Sequence, residues 1–299
     1  MGMAQAMPVC IMTADKTNLP LLSPQSFGLG LRAPHYDAIL ATPPALDFFE
    51  VISENFIQAH EGYWEFLGDL RQRYHFIMHG VGLSIGGTDP LDQTYLTQLK
   101  RFADFLRPAH ISDHLCFTGL GGHNTHDLLP LPLTPESLIH VADRVKQVQD
   151  FLGRKLVLEN PSSYLAFTQS TIPEAEFLAE LTRLTGCGLL LDINNVYVSA
   201  FNHGWNAATY LAMLPPEAIA YHHLAGHRHC GTHIIDTHDD HVVAPVWALY
   251  TKAIERFGAR PTMIEWDEQI PAFDVVLQEL ARARAVSQEA ADAPLRQRA

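Results

Sequence analysis

Cysteine is scarce in this chain: the 299 residues hold four, Cys10, Cys116, Cys187 and Cys230, and no two form a Cys-x-x-Cys pair. That spacing gives no zinc knuckle, no disulfide framework and no thiolate cluster for an iron–sulfur centre, and it points to a reduced, cytoplasmic setting. Long apolar runs are lacking as well. No segment approaches the roughly 18 consecutive apolar residues of a membrane-spanning helix, so no membrane partner is expected. Basic residues are few, with Lys plus Arg at 20 against Asp plus Glu at 33 and a formal net charge of −13. A phosphate backbone is then a poor ligand, because its binding draws on counterion release by basic side chains, and no nucleic acid partner is expected. The opening stretch 1–20 has Lys16 as its only base and no sustained apolar run ahead of a small-residue cleavage site, which does not read as a secretory signal. Repeats, low-complexity tracts and Ser/Gly linkers are missing too, which favours one domain over 25–287, preceded by a flexible arm over 1–24 and followed by a frayed tail over 288–299.

What is present in excess is histidine, with 17 residues in a chain that is 47% hydrophobic. The imidazole is the commonest side-chain ligand for transition metals and the usual proton carrier near neutrality, so the positions of these residues carry information. Short apolar or β-rich runs at 27–32, 46–52, 75–78, 110–112, 155–158, 188–191, 218–223 and 262–264 alternate with helical periodicity, seen at 94–106, 135–152, 173–185, 207–213, 245–257 and 273–287. Such alternation argues for parallel βαβ units, and eight of them predict an α/β fold, a (β/α)8 TIM barrel. Pro135, Pro173 and Pro245 stand at or near helix starts, where a missing N–H costs nothing.

Nearly every one of these runs ends in a side chain able to bind a metal. Glu50 closes the second, with Glu54 and Asn55 beyond; His79 closes the third, Asp113 and His114 the fourth, and Glu159 and Asn160 the fifth. Asp192 closes the sixth with Asn194 and Asn195 after it, His222 and His223 the seventh, and Glu265 the eighth, with Asp267 following. In a TIM barrel the carboxyl ends of the strands form one face, where active sites are built. A single Asp or His after a strand usually caps a helix, but a carboxylate leaving a buried apolar run is costly unless paired or metal-bound, and here the pattern recurs around the barrel. The segment 221–241 adds a dense group, from which His223, His227, Asp236 and His238 are favoured as ligands, while His222, His229, His233 and His241 are left without a role. Imidazole, carboxylate and amide donors without thiolate suit Fe, Mn or Zn.

Gly-Leu-Gly-Leu-Arg-Ala-Pro-His at 28–35, Ser-Asp-His-Leu at 112–115, Leu-Glu-Asn-Pro at 158–161, Leu-Asp-Ile-Asn-Asn at 191–195, His-Leu-Ala-Gly-His at 223–227, Ile-Asp-Thr-His-Asp at 235–239 and Ile-Glu-Trp-Asp at 264–267 together resemble one known group over 27–271. That group is the multinuclear non-heme iron-dependent oxidative enzymes, a branch of the xylose-isomerase-like TIM barrels that includes the catalytic subunit of methanobactin biosynthesis. The resemblance implies that His79, His114 and Glu159 hold one iron, that Glu159, Asp192, His223 and Glu265 hold a second, and that a third sits near Asn195, His227, Asp236 and His238. Catalysis would rest on Glu159, Asp192, His79 and His114. The implied cofactors are two or three iron ions of mixed Fe(II)/Fe(III) valence, with O2 as co-substrate. The implied reaction is oxidation at a cysteine of a ribosomally synthesised precursor peptide, giving heterocycle and thioamide formation or β-carbon chemistry. A separate leader-binding partner protein is implied too. Arg32, His35 and Glu54, near the first two strand ends, are candidates for positioning that substrate.

Two further features are weighed and set aside. Gly80-Val-Gly-Leu-Ser-Ile-Gly-Gly looks like a phosphate-cradling loop but lacks the Lys-Ser/Thr that such loops carry. Cys230 reads as an ordinary loop thiol. The alternative function within this fold class is a Zn- or Mn-dependent sugar isomerase or phosphodiesterase-like hydrolase, and the alternative outside catalysis is a metal-binding scaffold.

Overall fold

Eight strands, all paired in parallel, close into a ring in the computed structural model, which describes residues 22–296 and side chains through 292. They are β1 (Phe27–Gly30), β2 (Phe48–Ile52), β3 (His75–Gly80), β4 (Ile111–His114), β5 (Leu156–Glu159), β6 (Gly188–Asp192), β7 (Ile219–Leu224) and β8 (Thr262–Ile264). Neighbours follow chain order, and β8 pairs with β1 to complete the barrel. The strands β3 to β7 run one or two residues past their expected ends. His79 pairs with Ser112, His114 with Glu159 and Asp192 with His223, so the polar residues sit inside the ladder rather than after it.

The outer helices are α1 (Tyr36–Ala41), α2 (Glu61–Leu70), α3 (Gln93–Leu106), α4 (Pro135–Leu152), α5 (Glu174–Thr185), α6 (Ile193–His203), α7 (Ala207–Met213), α8 (Ala244–Phe257) and α9 (Phe273–Arg296). The last continues past 287, where a tail was expected; most of the arm expected over 1–24 lies outside the described residues. Helices α1, α2 and α6 had no counterpart in the sequence reading. Neither had the antiparallel hairpin formed by Phe117–Leu120 and His123–Leu129. Its turn needs Gly121 and Gly122, both at positive φ (60° and 78°), and their N–H groups donate to the Asp89 carboxylate at 3.1 and 2.9 Å.

The period of two along each strand sorts the barrel into layers. Phe48, Ile77, Val157, Leu190, Tyr221 and Met263 meet inside as an apolar plug. Two residues further along five of the same strands the inward positions are Glu50, His79, Glu159, Asp192 and Glu265, and on β7 the position after Tyr221 is His223. Residues of the opposite parity face out into the large core beneath the helices. His222 is one of them: it packs edge-on to Tyr250 and near Phe257, away from the barrel interior.

At the lower rim His110 stacks on Tyr221 with ring planes 4° apart. Burial, reinforced by Lys155 and Arg154, pulls its pKa down to about 4. Below pH ~6.5 the unfolded chain therefore takes up a proton that the folded chain refuses, so this stabilising contribution is complete above pH ~6.5 and fades as pH falls toward 4. His110→Phe keeps the ring stack and removes the titration. The part of the stability loss between pH 7.5 and 5 that vanishes in the variant, read from urea midpoints, is expected to be about 2 kcal/mol at most.

On the opposite face, buried Arg144 of α4 donates to the carbonyls of Ser84, Ile85 and Asp89 at 3.1, 2.9 and 2.7 Å. These bonds fix the loop after β3. Arg144→Leu strands three carbonyl groups and is expected to lower unfolding free energy by about 3 kcal/mol, measured by denaturant unfolding, with hydrogen exchange rising first in that loop.

Candidate metal centre

At the carboxyl ends of the strands, three sets of donor atoms lie close enough for each set to hold a cation: His79, His114 and Glu159; Glu159, Asp192, His223 and Glu265; and His238, Glu265 and Asp267. Glu159 belongs to the first two and Glu265 to the last two. Each shared carboxylate has two oxygens, so the three sets form a connected row rather than separate sites.

The contacts inside the row are close, but several of them lack the geometry of a hydrogen bond. Glu159 Oε2 lies 3.2 Å from His79 Nε2 and 3.1 Å from His114 Nε2, and His223 Nδ1 lies 2.8 Å from Glu265 Oε2. Yet Glu159 Oε2, Asp192 Oδ2, His223 Nδ1, His238 Nε2 and Asn195 Oδ1 are all buried with no hydrogen-bond partner. Buried polar atoms are almost always satisfied, so several orphans aimed at one another mark a space able to take a cation. The opposite nitrogen of three imidazoles is engaged: His79 Nδ1 with Ser112 Oγ at 2.8 Å, His114 Nδ1 with the Gly80 carbonyl at 3.1 Å, and His223 Nε2 with Glu50 Oε2 at 3.1 Å. Ligand histidines are oriented in this way, the second nitrogen fixing which one is bare.

Electrostatics tell the same story. Burial pushes the Asp192 carboxyl well above the carboxylate range, and repulsion from Glu159 adds to it against the pull of His238. Burial opposes ionisation of Glu265, but His223 and His238 outweigh it and hold that carboxyl well below its usual range. His79, which burial alone would lower, is driven up to about 9 by Glu50 and Glu159. The raised histidines thus set positive charge against the buried carboxylates.

Asp192 serves two purposes at once. Its Oδ1 caps α6 by accepting from Asn195 N–H at 2.6 Å, while Oδ2 faces the second donor set. Asn195 donates to Glu159 Oε1 and to the Asn160 carbonyl, both at 3.1 Å, and turns its orphan Oδ1 elsewhere. Asp236 Oδ1 lies 2.7 Å from His238 Nε2 and accepts from Asn194 Nδ2 at 2.7 Å. His227 stands outside the three sets: its Nδ1 meets Asn194 Oδ1 at 2.6 Å and its ring stacks on Tyr197. Asp267 enters the third set, although the sequence reading gave it no ligand role; it lies two residues beyond Glu265, at the same parity. Glu50 was read as one of the metal-capable strand ends, whereas Ser112 and Tyr221, which underlie the histidines with it, had no role assigned.

The residues expected to position substrate are occupied within the chain. Arg32 Nη2 meets Asp267 Oδ1 at 2.5 Å and Glu265 Oε1 at 3.8 Å. Glu54 Oε1 accepts from Val81 N–H, Gly82 N–H and Tyr95 Oη at 3.0, 2.7 and 2.7 Å. The glycine-rich loop thus cradles a carboxylate of its own chain, not a phosphate. His35 Nε2 meets the Pro271 carbonyl at 2.8 Å, under Phe273. Of the remaining histidines, His229 and His233 are exposed, and His241 Nδ1 meets Glu279 at 2.5 Å. Cys230 is exposed.

Above the row opens a cavity of about 230 Å³, walled by His79, Glu159, Asp236 and His238 on the metal side and by Asp127 and Leu128 of the hairpin. That is smaller than the ~300–1,000 Å³ of sites that enclose a whole small molecule, and it suits a single side chain inserted from outside.

A closed parallel barrel with carboxylates and imidazoles gathered at one mouth is the xylose-isomerase-like TIM-barrel fold with a candidate metal site at its carboxyl face. Similar solved structures include endonuclease IV from Thermus thermophilus, with TM-score 0.59 and 15% identity over 88% of this chain and 99% of that one. A second is D-psicose 3-epimerase in the presence of D-fructose, with TM-score 0.54 and 10% identity over 89% and 96%. At such identities these show the fold alone. The chain belongs to the RiPP precursor modification enzyme family MbnB/TglH/ChrH, whose family model matches residues 26–288. It is 49% identical to a UPF0276 protein of Anaeromyxobacter sp. (strain Fw109-5) over 87% of this chain and 92% of that protein. A UPF0276 protein of Caulobacter vibrioides (strain NA1000 / CB15N) is also 49% identical, over 87% and 93%. The family acts on ribosomally made precursor peptides. Among the described residues no helix is long and apolar enough to cross a membrane.

Proposed function

We propose that this enzyme uses two or three iron ions and O2 to oxidise cysteine residues of a ribosomally synthesised precursor peptide, in the cytoplasm and with a leader-binding partner protein. The observation that carries this reading is the sharing of Glu159 and Glu265 among three adjacent donor sets, which favours several ions over one. His79, His114 and Glu159 would hold the first iron, Glu159, Asp192, His223 and Glu265 the second, and His238, Glu265 and Asp267 a third, with Asp236 and Asn195 beside it. All donors are nitrogen or oxygen, as iron accepts, and no protein thiolate competes with that of a substrate. Bound iron supplies Lewis-acid stabilisation of the substrate thiolate and the electron transfer with O2.

The chain's own part is positional. The 230 Å³ cavity admits the cysteine side chain beside the donor row, where it can be held in reach of the ligand atoms. Arg32, tied to Asp267 and near Glu265, offsets negative charge at the rim. Anaerobically purified protein is expected to contain more than one iron per chain and to show a ferric absorption band that changes when a cysteine-containing precursor peptide is added. Stoichiometric zinc or manganese without iron, together with O2-independent turnover, would instead assign it to sugar isomerisation or phosphodiester hydrolysis.

A further inference from the structure

Beneath the donor row lies a hydrogen-bonded chain that no ligand role accounts for. Tyr221, at the top of the apolar plug, donates from Oη to Glu50 Oε2 at 2.8 Å and lies 2.7 Å from Ser112 Oγ. Ser112 Oγ in turn meets His79 Nδ1 at 2.8 Å, and Glu50 Oε2 meets His223 Nε2 at 3.1 Å. All five residues are at most 1% exposed, so bulk water reaches none of these links.

The chain has a direction. A carboxylate only accepts, so Tyr221 gives its single proton to Glu50 and can only accept from Ser112. Ser112 then directs its own proton to Tyr221, or to the Met78 carbonyl at 3.3 Å, and keeps a lone pair for His79. As a neutral imidazole, the form able to ligate a metal, His79 therefore carries its proton on Nδ1 and leaves Nε2 bare toward Glu159. Glu50 likewise fixes neutral His223 directly, with the proton on Nε2 and a bare Nδ1 toward Glu265.

We propose that Tyr221 is a positioning residue that sets the ligand tautomer of His79 through Ser112. Remove the hydroxyl, and Ser112 is free to turn and donate to His79 Nδ1, which puts the imidazole proton on Nε2, where the metal should bind. His223 keeps its bond to Glu50 and with it its tautomer. The inference rests on the metal reading above and adds a residue to it.

Tyr221→Phe tests it with the ring left in place. In the protein loaded with Zn(II), a diamagnetic probe, nitrogen NMR of labelled histidine is expected to show His79 bound through Nε2 with its proton on Nδ1 in the wild type, and in the variant a fraction of His79 unbound and protonated at Nε2, with the His223 tautomer unchanged. Competition against a chelator is expected to show affinity for the first ion reduced about tenfold or more, as for other losses of an orienting partner. His110→Phe, which alters the ring stacked on Tyr221 and spares the hydroxyl, is the control for packing, and it should match the wild type in both readouts. Wild-type tautomer and affinity in Tyr221→Phe would overturn the inference while leaving the metal reading intact, and so would an equal loss in His110→Phe. A wild-type protein that takes up no transition metal would overturn both.

Discussion

Glu159→Gln is expected to abolish turnover and to cut metal content more than any other single change, while the barrel stays folded. Glu159 is the one residue common to the first and second donor sets, so its loss weakens both together. Glutamine keeps the shape and can still accept from Asn195 through Oε1, but it cannot supply a second anionic oxygen to the two imidazoles at 3.2 and 3.1 Å. Several kcal/mol of metal-derived transition-state stabilisation, at about 1.4 kcal/mol per factor of ten, corresponds to a loss of roughly 10³-fold or more. Without metal the variant loses the pairing with His79 and His114 that outweighs burial and holds the Glu159 carboxyl below its usual range, and it sheds only a repulsion with Asp192, so a modest fall in stability is expected. Added iron should raise the thermal midpoint of the wild type and leave that of Glu159→Gln nearly unchanged. A variant that retains full metal content and turnover would remove the shared carboxylate from the mechanism.

The barrel was legible because parallel strands bury both faces, and their apolar runs, regularly spaced between helical periods, can be counted without knowing which face is which. The polar strand ends were legible for the same reason: a charge at the end of such a run has no cheap explanation. Parity was harder. In Ile-Ala-Tyr-His-His-Leu the residues on either face are equally plausible inside or out, and only the helix α8 packed over His222 shows that His223 is the inward one. Asp267 could have been found by extending the same parity two residues beyond Glu265. The Glu50–Tyr221–Ser112 chain could not, since it joins strands that are not neighbours and exists only once the barrel has closed. Helix α6 was hidden because Asp192, Asn194 and Asn195 were read as metal-capable residues at a strand end, whereas Asp192 also caps a helix that begins at once.

Gly226→Ala should be nearly as damaging, by a different route. A Cβ at this position would lie 2.1 Å from the Asp240 carbonyl oxygen and 2.7 Å from that of His241, both backbone atoms that no rotamer change can clear. The two loops at the barrel mouth must separate. One of them carries His238, whose φ of 47° is uncommon for a residue with a side chain and is maintained by its surroundings, among them the bond from Asp267 N–H to the His238 carbonyl at 2.8 Å. Once released, His238 would leave Glu265 and Asp267, and the third donor set would be lost, while the one formed by His79, His114 and Glu159 on the far side persists. Overpacking of this kind costs about 1–3 kcal/mol, visible in the urea midpoint. Displacement of a reacting geometry by about 1 Å costs roughly 100-fold in rate. Metal analysis should therefore show a fractional loss, not a total one, in contrast to Glu159→Gln. Should Gly226→Ala keep every ion and its full rate, His238 would not depend on the crossing of these two loops.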